Sequence, residues 1–255
     1  MRSEHLLTVV TVNYNNLTGL KKTASSLLGI IGIEWIIVDG GSTDGSIELI
    51  RELLPTQAII GRDSGIYNAM NLGIAAASGK FVMFLNSGDY VRKEVLECVL
   101  HKLKVDNSDI ISSSIIIGNK MAPLIRFWSA SFPNRLKILF GWAPPHPGLV
   151  VRKNLLTQIG GFDEKFKVVA DYDLILKLLH TKNIKFDVIT KVLVVMEPGG
   201  VSNNSIKSVL FNNLDILRSW SDQRYISMRV VPFWLLFTKP FQKFLQIRIN
   251  RRGIE

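Results

Sequence analysis

Isolated aspartates follow apolar runs at three points in the amino-terminal part of this chain. Asp39 ends the run "EWIIVD", Asp63 follows "QAIIGR", and Asp89 closes the polar turn "NSGD" after "FVMFL". Short apolar runs bounded by glycine-containing turns are typical of strands that helices cover on both faces, and such sheets are mainly parallel. Because the carboxyl ends of parallel strands open on one edge, the three carboxylates could converge on a single crevice.

Each of these acids has a functional and a structural interpretation. Asp39 lies directly before the glycines of "GGSTDG", where a carboxylate could accept hydrogen bonds from a base or a ribose. Asp44, later in that turn, is more simply explained as a first-turn acid that the helix dipole favours. For Arg62 and Asp63 the alternative to a ligand contact is an ion pair that opens a turn. For Asp89 the alternative is the stabilisation of a tight turn.

The loop after the first apolar run, "NYNNLTG", contains neither G-x-G-x-x-G nor G-x-x-x-x-G-K-[ST]. Its sequence argues against a dinucleotide-dependent dehydrogenase and against a P-loop enzyme. A divalent cation is another means of holding a diphosphate, since a carboxylate-bound hard ion can bridge the oxygens and stabilise charge on a departing phosphate. We predict that Asp89 holds Mg²⁺ or Mn²⁺, and that Asn13 and Asn15 bind the donor nucleotide at the same edge.

Strand and helix patterns alternate along the first half of the chain. The predicted strands are 8–13, 34–39, 57–61 and 80–86, and the predicted helices between them are 17–28, 43–54 and 66–77. This order predicts an α/β fold with a mainly parallel sheet and right-handed crossovers. A helix near 92–104, apolar runs at 109–117 and 148–151, a helix near 170–182 and a strand near 185–196 follow.

The composition limits the class of protein. With 255 residues, 47% of them hydrophobic, the chain can hold one large α/β domain, or one domain with an appendage. Cys98 is the single cysteine, which excludes an internal disulfide and suits a reducing compartment. The first residues lack the apolar stretch of a secretory signal. We expect a protein that is cytoplasmic or attached to a membrane from the cytoplasmic side.

Several ordered segments resemble the motifs of the family 2 glycosyltransferases. They are "TVVTVNYNN", "EWIIVDGGSTDGS", "NLGIAAASGKFVMFLNSGD" and "GGFDEKF" followed by "ADYDL", and the resemblance covers about residues 6 to 200. It implies the GT-A fold, with a Rossmann-like sheet flanked by helices, and an enzyme that inverts the anomeric centre. The segment 62–89 is most similar to bacterial members that build exopolysaccharides such as colanic acid.

The resemblance also implies roles for single residues. Asp39 would contact the nucleoside, Asp63 would help to hold the base or ribose, and Asp89 would carry the metal ion at the diphosphate. The family often has two or three aspartates where this chain reads "NSGD", so Asp89 is the one carboxylate of that turn.

Inversion by direct displacement needs a carboxylate that takes the acceptor's hydroxyl proton. In "ADYDLILKLL", Asp171 shares a helix face with apolar residues and points toward the body of the domain, whereas Asp173 aligns with Lys177 and His180 on the expected solvent face. Asp171 also matches the catalytic aspartate of the family. We predict that Asp171 is the base, the alternative being an acid that stabilises the helix start.

Three further residues are weaker candidates for an acceptor or diphosphate contact. His146, in "GWAPPHPGLVVR", resembles a histidine of related enzymes, but a loop histidine can equally be structural. Trp142 could stack on an acceptor sugar or simply pack. Asp163, in "GGFDE", matches the family and is interpreted mainly as loop architecture near the acceptor.

We therefore predict an inverting glycosyltransferase of polysaccharide biosynthesis. It would move a sugar from a nucleotide-diphosphate sugar, with a UDP-sugar favoured, to a hydroxyl of a glycan or a polyprenyl-diphosphate-linked acceptor. Residues 1–204 would form the catalytic domain, with 1–110 binding the donor and 111–204 the acceptor. The alternatives are a nucleotidyltransferase of similar fold, which would need a glycine-rich, arginine-containing first loop, and a catalytically silent sugar-nucleotide or membrane-binding module.

Positive charge is concentrated in residues 205–255, which carry +6 of the formal net charge of +10. Residues 230–238, "VVPFWLLFT", are apolar but far shorter than the roughly 20 residues that span a bilayer. Basic residues flank this run, a composition that suits an anionic membrane surface. We predict a helical extension that holds the protein on the inner face of the cell membrane, or alternatively packs on the catalytic domain. No nucleic-acid recognition motif is present, and we expect no nucleic-acid partner.

Overall fold

The computed structural model describes residues 5–118, 126–133 and 143–197, together with Asp215 and Ser219. The strands of this part of the chain are β1 (Leu7–Asn13), β2 (Ile33–Asp39), β3 (Gln57–Ile60), β4 (Phe81–Phe84), β5 (Tyr90–Val91), β6 (Ile110–Ile117), β7 (Arg126–Trp128), β8 (Leu149–Arg152) and β9 (Phe186–Met196). The helices are α1 (Leu17–Leu27), α2 (Ser46–Leu53), α3 (Ile66–Ala76), α4 (Lys93–Val105), α5 (Lys153–Gln158) and α6 (Ala170–His180).

The described strands form one sheet in the order β3-β2-β1-β4-β8-β6-β9-β5, with β7 beside β6. The first four strands pair in parallel, as predicted. Beyond β4 the sheet is mixed, because β8 runs antiparallel to both of its neighbours and β5 runs antiparallel to β9. The predicted helix-flanked α/β fold is confirmed. Its four amino-terminal strands are parallel, and β6 and β9 form a further parallel pair.

Alternation along β1 explains why the sheet has a core on each face. Leu7 and Val9 pack with helices α1, α2 and α4, whereas Val10 and Val12 pack with α3, α5 and α6. All four side chains are at most 7% exposed. A strand that is apolar on both faces cannot be satisfied by a single helical layer, so the sequence of β1 requires the three-layer arrangement.

Helix α3 lies unusually close to β1. A Cβ atom added at Gly73 would lie 2.3 Å from Val10 Cγ1, a distance that no side chain can occupy. The predicted buried face of this helix is confirmed, since Ala69, Met70, Gly73 and Ile74 are all buried. The glycine therefore fixes α3 against the central strand and sets the position of the helix start at the carboxyl edge of the sheet.

A buried carboxylate ties the sheet together at the opposite, amino edge. Glu34 is 5% exposed and accepts hydrogen bonds from the backbone N–H of Ser78 at 2.7 Å, the Ser78 hydroxyl at 2.8 Å and the Thr8 hydroxyl at 2.5 Å. The N–H of Gly79 donates at 3.3 Å. These bonds hold the pKa of Glu34 below its usual value although burial opposes them.

The structure describes little of the C-terminal segment. The predicted domain division at residue 204 and the apolar run 230–238 lie outside the described residues, and both stay predictions. Asp215 and Ser219 are described as helical. Among the residues that the structure describes, no helix is long and apolar enough to cross a membrane.

The Glu34 carboxylate should stabilise the fold in a pH-dependent way. Because its folded pKa is lowered, the stabilisation is present above the unfolded pKa and is lost as the pH falls through the folded value. Glu34→Gln removes the charge and turns an acceptor into a donor, so the free energy of unfolding should fall by about 2–3 kcal/mol at pH 7. Denaturant unfolding at pH 7 and pH 4 measures this loss. Glu48→Gln, at an exposed position, is the matched control. If both variants changed the free energy of unfolding equally at the two pH values, the Glu34 carboxylate would not be the source of the pH-dependent stabilisation.

Candidate functional site

The carboxyl ends of β1 and β2 are joined through the side chain of Asp39. Its Oδ2 accepts from Asn13 Nδ2 at 2.7 Å and from the Ser42 hydroxyl at 2.8 Å. Its Oδ1 accepts from the backbone N–H of Ser42 at 2.7 Å and of Gly41 at 3.0 Å. The carboxylate is 1% exposed. Both carboxylate oxygens of Asp39 are therefore used in hydrogen bonds to the end of β1 and to the loop that follows β2.

This geometry changes what is expected of Asp39. A carboxylate with four donors and almost no exposed surface has no free lone pair for a base or ribose. We therefore expect Asp39 to act on a nucleotide through the loop that it holds, rather than by the direct contact predicted from the sequence. Asn13 is likewise buried, at 4% exposure, and supports Asp39.

The loops after β1 and β2 are cross-linked by further hydrogen bonds. The N–H of Asn15 donates to the Ser42 hydroxyl at 2.8 Å, and Asn15 Oδ1 accepts from the N–H of Thr43 at 2.8 Å. Asp44 accepts from the N–H groups of Leu17 and Ser46, so its role is structural, although it precedes the N-cap Gly45 instead of lying in the first turn of α2. Asn15 itself is exposed, with φ of +46°.

The loop after β3 reaches the same edge at Gly40. A Cβ atom added at Gly40 would lie 3.0 Å from Asp63 Oδ2 and 3.2 Å from Tyr14 Cδ2. The Tyr14 ring is 66% exposed, and Arg62 is also exposed. Glycine at this position therefore allows the exposed Tyr14 ring and the Asp63 carboxylate to approach the loop after β2 closely. The aromatic residue at the end of β1 was a signal in the sequence for Tyr14 as a further candidate.

The turn after β4 is clasped by helix α1. Asn16 begins that helix, accepts from the N–H of Gly19 at 3.0 Å and donates through Nδ2 to the Ser87 carbonyl at 3.0 Å. The buried Thr23 hydroxyl donates to the Asp89 carbonyl at 2.7 Å and accepts from the N–H of Gly88 at 3.0 Å. Asn16 and Thr23 were not predicted, because each contacts the turn across more than sixty residues of sequence.

Asp89 is buried in this turn and faces the end of β9. It is 6% exposed, and burial raises its pKa to about 7. The Glu197 carboxylate also raises that pKa, whereas the Glu197 backbone N–H and the Lys22 ammonium lower it. Lys22 forms an ion pair with Glu197 and lies 4.5 Å from the centre of the Tyr90 ring. Asp89 therefore has structural partners, and its predicted metal role stays a prediction.

The oxygen atoms of this turn allow a limited metal site. Asn86 Oδ1 is a buried amide oxygen that has no hydrogen-bond partner among the residues that the structure describes, and it belongs to the same turn as Asp89. In the described part of the chain, no group of three or more histidine, cysteine or acidic side chains is arranged to hold a metal ion. One or two protein oxygens suffice for Mg²⁺ when substrate phosphates and water supply the rest. The residues present therefore fit a cation that is held largely by a bound diphosphate.

The helix α6 carries both of the acids singled out in "ADYDL". Asp171 is half-buried in its first turn, where its Oδ1 accepts from the N–H of Tyr172 at 2.8 Å. The prediction for Asp173 was wrong, because this side chain is 1% exposed instead of facing solvent. It pairs with Lys177 at 2.8 Å and accepts from the Ser219 hydroxyl at 2.7 Å. A partner 46 residues away explains its burial.

The loop before α6 is clamped onto α3. Glu164 accepts from Asn71 Nδ2 at 3.0 Å, from Asn68 Nδ2 at 3.1 Å and from the Ser64 hydroxyl at 3.2 Å. Asp163 is engaged by Lys165 at 2.8 Å, so its interpretation as loop architecture matches the contacts seen. Since Ser64 adjoins Asp63, this clamp brings the proposed acceptor half of the domain to the donor edge.

His146 packs inside the domain. Its ring stacks on Phe84, with centroids 5.5 Å apart, and meets the edge of Phe162 at 5.4 Å. Burial lowers its pKa to about 4, so it is neutral at physiological pH. This packing favours the structural alternative, while a role toward the acceptor stays a prediction. Trp142 lies outside the described residues.

Comparison with known proteins agrees with this arrangement. The family model described as "Glycosyl transferase family 2" matches residues 8–152. A PGL/p-HBAD biosynthesis glycosyltransferase of Mycobacterium bovis is 25% identical over 227 residues, which is 79% of this chain and 85% of that protein. The cholesterol galactosyltransferase of Borreliella burgdorferi is 29% identical over 173 residues, covering 63% of this chain and 46% of that protein.

Solved structures show the same fold. Staphylococcus aureus TarS 1-349 superposes with a TM-score of 0.65 at 20% identity, covering 84% of this chain and 65% of that one. The mannosyltransferase PcManGT from Pyrobaculum calidifontis, in complex with GDP-Man and Mn²⁺, has a TM-score of 0.59 at 16% identity and 85% coverage of this chain. This chain covers 65% of the TarS structure and 63% of PcManGT, so it spans just under two thirds of either structure.

The raised pKa of Asp89 has a measurable consequence for stability. The folded protein holds this proton more tightly than the unfolded chain, so the stabilisation is complete below the unfolded pKa of about 3.8 and is lost as the pH rises through about 7. Asp89→Asn stays neutral, and its thermal midpoint should exceed that of the wild type at pH 8 by more than at pH 5. The exposed Glu94→Gln serves as the control. An identical difference at both pH values would show that Asp89 does not titrate in this range.

Proposed function

Because the chain belongs to glycosyl transferase family 2 and is a glycosyltransferase, we propose that it moves a sugar from a UDP-sugar to an acceptor hydroxyl with inversion of the anomeric carbon. The observation that carries the proposal is the meeting of four loops at one sheet edge. The ends of β1 and β2 are joined by Asn13 and Asp39, and the loops after β1 and β4 are joined by Asn16 and Ser87. The loop after β3 approaches the loop after β2 at Gly40.

The nucleoside would bind beside Gly40, where Tyr14 and Asp63 approach the loop after β2. The exposed Tyr14 ring could stack on the base, and the Asp63 carboxylate could accept a hydrogen bond from the base or ribose. Arg62 and Asn15, exposed beside them, would contact the rest of the nucleotide. The choice of UDP is supported by a solved complex of TarS 1-349 with UDP-GlcNAc, which has a TM-score of 0.62 to this chain, whereas PcManGT was solved with GDP-Man.

The diphosphate would lie at the turn after β4. Asn86 Oδ1 and the Asp89 carboxylate are the oxygens that would hold Mg²⁺ or Mn²⁺ there, and a bound cation would neutralise charge on the departing diphosphate. Since Asp89 has a pKa of about 7, cation binding should weaken as the pH falls below that value. The Asn16 and Thr23 side chains would keep this turn in place during turnover.

Asp171 would act as the general base. As the acceptor oxygen forms its bond to the anomeric carbon, the bond from that carbon to the diphosphate oxygen breaks and the hydroxyl proton passes to the Asp171 carboxylate. The nucleoside diphosphate leaves on the opposite face of the sugar, which inverts the centre. A single displacement needs no protein nucleophile, and Cys98, the only cysteine, is exposed on α4.

The acceptor is proposed to be a hydroxyl of a glycan or a lipid-linked saccharide in polysaccharide biosynthesis. Support for a lipid acceptor comes from the cholesterol galactosyltransferase of Borreliella burgdorferi, whose name describes transfer of a sugar to a lipid. An exopolysaccharide of the colanic-acid type is the finer proposal, and it rests on the similarity of segment 62–89. A nucleotidyltransferase or a silent binding module would release no free nucleoside diphosphate in an acceptor-dependent way, which separates both alternatives from transfer.

The protein is further proposed to work at the inner face of the cell membrane. Its C-terminal fifth is strongly basic and contains the aromatic run at 230–238. A lipid-linked acceptor would be presented at such a surface. Each basic residue near anionic lipid contributes on the order of 1 kcal/mol, so several together would hold the enzyme there.

Replacement of Asp171 tests the proposed reaction. Wild-type protein is assayed against a panel of nucleotide-diphosphate sugars with a membrane lipid extract as acceptor, and sugar transfer is followed. Asp171→Asn keeps the shape of the side chain but cannot take the proton, so kcat should fall by about 10² to 10⁴ while donor affinity stays nearly unchanged. A variant that keeps more than half of the wild-type turnover would show that Asp171 is not the base.

Replacement of Tyr14 tests the proposed base contact. Loss of a stacked ring typically costs about 1–3 kcal/mol, so Tyr14→Ala should weaken UDP binding by roughly tenfold or more in calorimetry. Phe132→Ala removes another exposed aromatic ring, which packs near Phe186, and should leave UDP affinity unchanged. Equal affinities of the two variants and the wild type would remove Tyr14 from the site.

Co-sedimentation with vesicles tests the membrane proposal. Full-length protein should bind anionic vesicles at low salt and be released at high salt, while neutral vesicles bind little. Substitution of Lys239, Lys243 and Arg248 by glutamine should reduce binding, because these residues flank the aromatic run. Wild-type protein that stays in the supernatant with anionic vesicles at low salt would contradict the proposal.

A further inference from the structure

Helix α6 begins without a side-chain cap of its own. Its N-cap residue is Val169, which offers no acceptor to the first backbone N–H groups. Helix starts leave such donors unsatisfied unless another group accepts from them. The N–H of Tyr172 is taken by the Asp171 carboxylate at 2.8 Å.

Tyr67, from the first turn of α3, fastens the residues just before this helix. Its hydroxyl donates to the Val168 carbonyl at 2.8 Å, and Val168 directly precedes the N-cap residue. Burial and the nearby charge of Asp171 raise the pKa of the phenol, while the backbone of Asp171 and Ala170 opposes that rise. One hydroxyl group therefore ties the start of α3 to the start of α6.

The Tyr67 ring is held firmly in this position. It stacks on Phe162, with centroids 5.5 Å apart and an angle of 24° between the planes. Its helix is fixed against β1 by the close contact between Gly73 and Val10. Tyr67 therefore connects the rigid central sheet to the helix start that carries Asp171.

We propose that Tyr67 is a positioning residue for Asp171, setting the distance and orientation of that carboxylate relative to the donor edge. Because α3 begins three residues after Asp63, its first turn adjoins the proposed nucleoside contacts as well as the loop that leads to the proposed base. This inference rests on the proposed function, since it assumes that Asp171 takes the acceptor proton. Tyr67 does not touch the reacting atoms and acts through α6.

Kinetics of Tyr67→Phe test this role. The variant keeps the ring and its stacking but loses the oxygen at the helix start, so kcat should fall on the order of 10-fold while the KM for the donor stays within about twofold. Glu34→Gln is the matched control, because it disrupts buried hydrogen bonds to Thr8 and Ser78 at the opposite edge of the sheet. It should lower Tm at least as much as Tyr67→Phe, yet keep kcat within about twofold.

A double variant separates positioning from simple stability. If Tyr67 acts through the base, Tyr67→Phe in the Asp171→Asn background should cause no further loss of kcat. Losses of kcat that follow the loss of Tm equally in Tyr67→Phe and Glu34→Gln would overturn the inference. If kcat follows Tm in this way and Asp171→Asn is inactive, the proposed function still holds. A fully active Asp171→Asn would instead overturn the assignment of Asp171 as the base, and the role of Tyr67 with it.

Discussion

The hydrogen bond between Asn13 and Asp39 joins the ends of the two central strands, and the candidate site is arranged around it. These residues are directly opposite each other in the parallel register of β1 and β2. The Asp39 carboxylate then accepts from the loop that follows it, and Ser42 in that loop binds the N–H of Asn15 in the loop after β1. One buried carboxylate thus converts two adjacent strand ends into a single rigid rim.

The second requirement is that the two halves of the domain meet at this rim. The Glu164 carboxylate and the Tyr67 hydroxyl, one from each half, fasten the loop before α6 to the start of α3. A single displacement needs donor and base held in line, and small misplacements cost large factors in rate. The arrangement therefore depends on contacts between α3 and the loop before α6, which are separated by about a hundred residues of sequence.

The features that could be predicted from the sequence are those that local residue patterns determine. The buried face of α3 followed from its helical spacing, and the converging strand ends followed from the parallel order of the first four strands. The antiparallel placement of β8, and the burial of Asp173 against Ser219, depend on partners far away in the chain and could not be derived from local periodicity. The same limit applies to Asp39, because a strand-end carboxylate has the same local sequence whether it binds substrate or its own loop.

Hydrogen exchange with and without UDP tests most directly whether the four loops form one donor site. The account predicts that UDP with Mn²⁺ slows exchange together in the segments 13–16, 40–44, 62–66 and 86–89. The groove between α4 and β9, which Cys98, Lys102 and Lys191 help to line, should be unaffected. Protection confined to that groove, or to one of the four loops alone, would contradict the shared site.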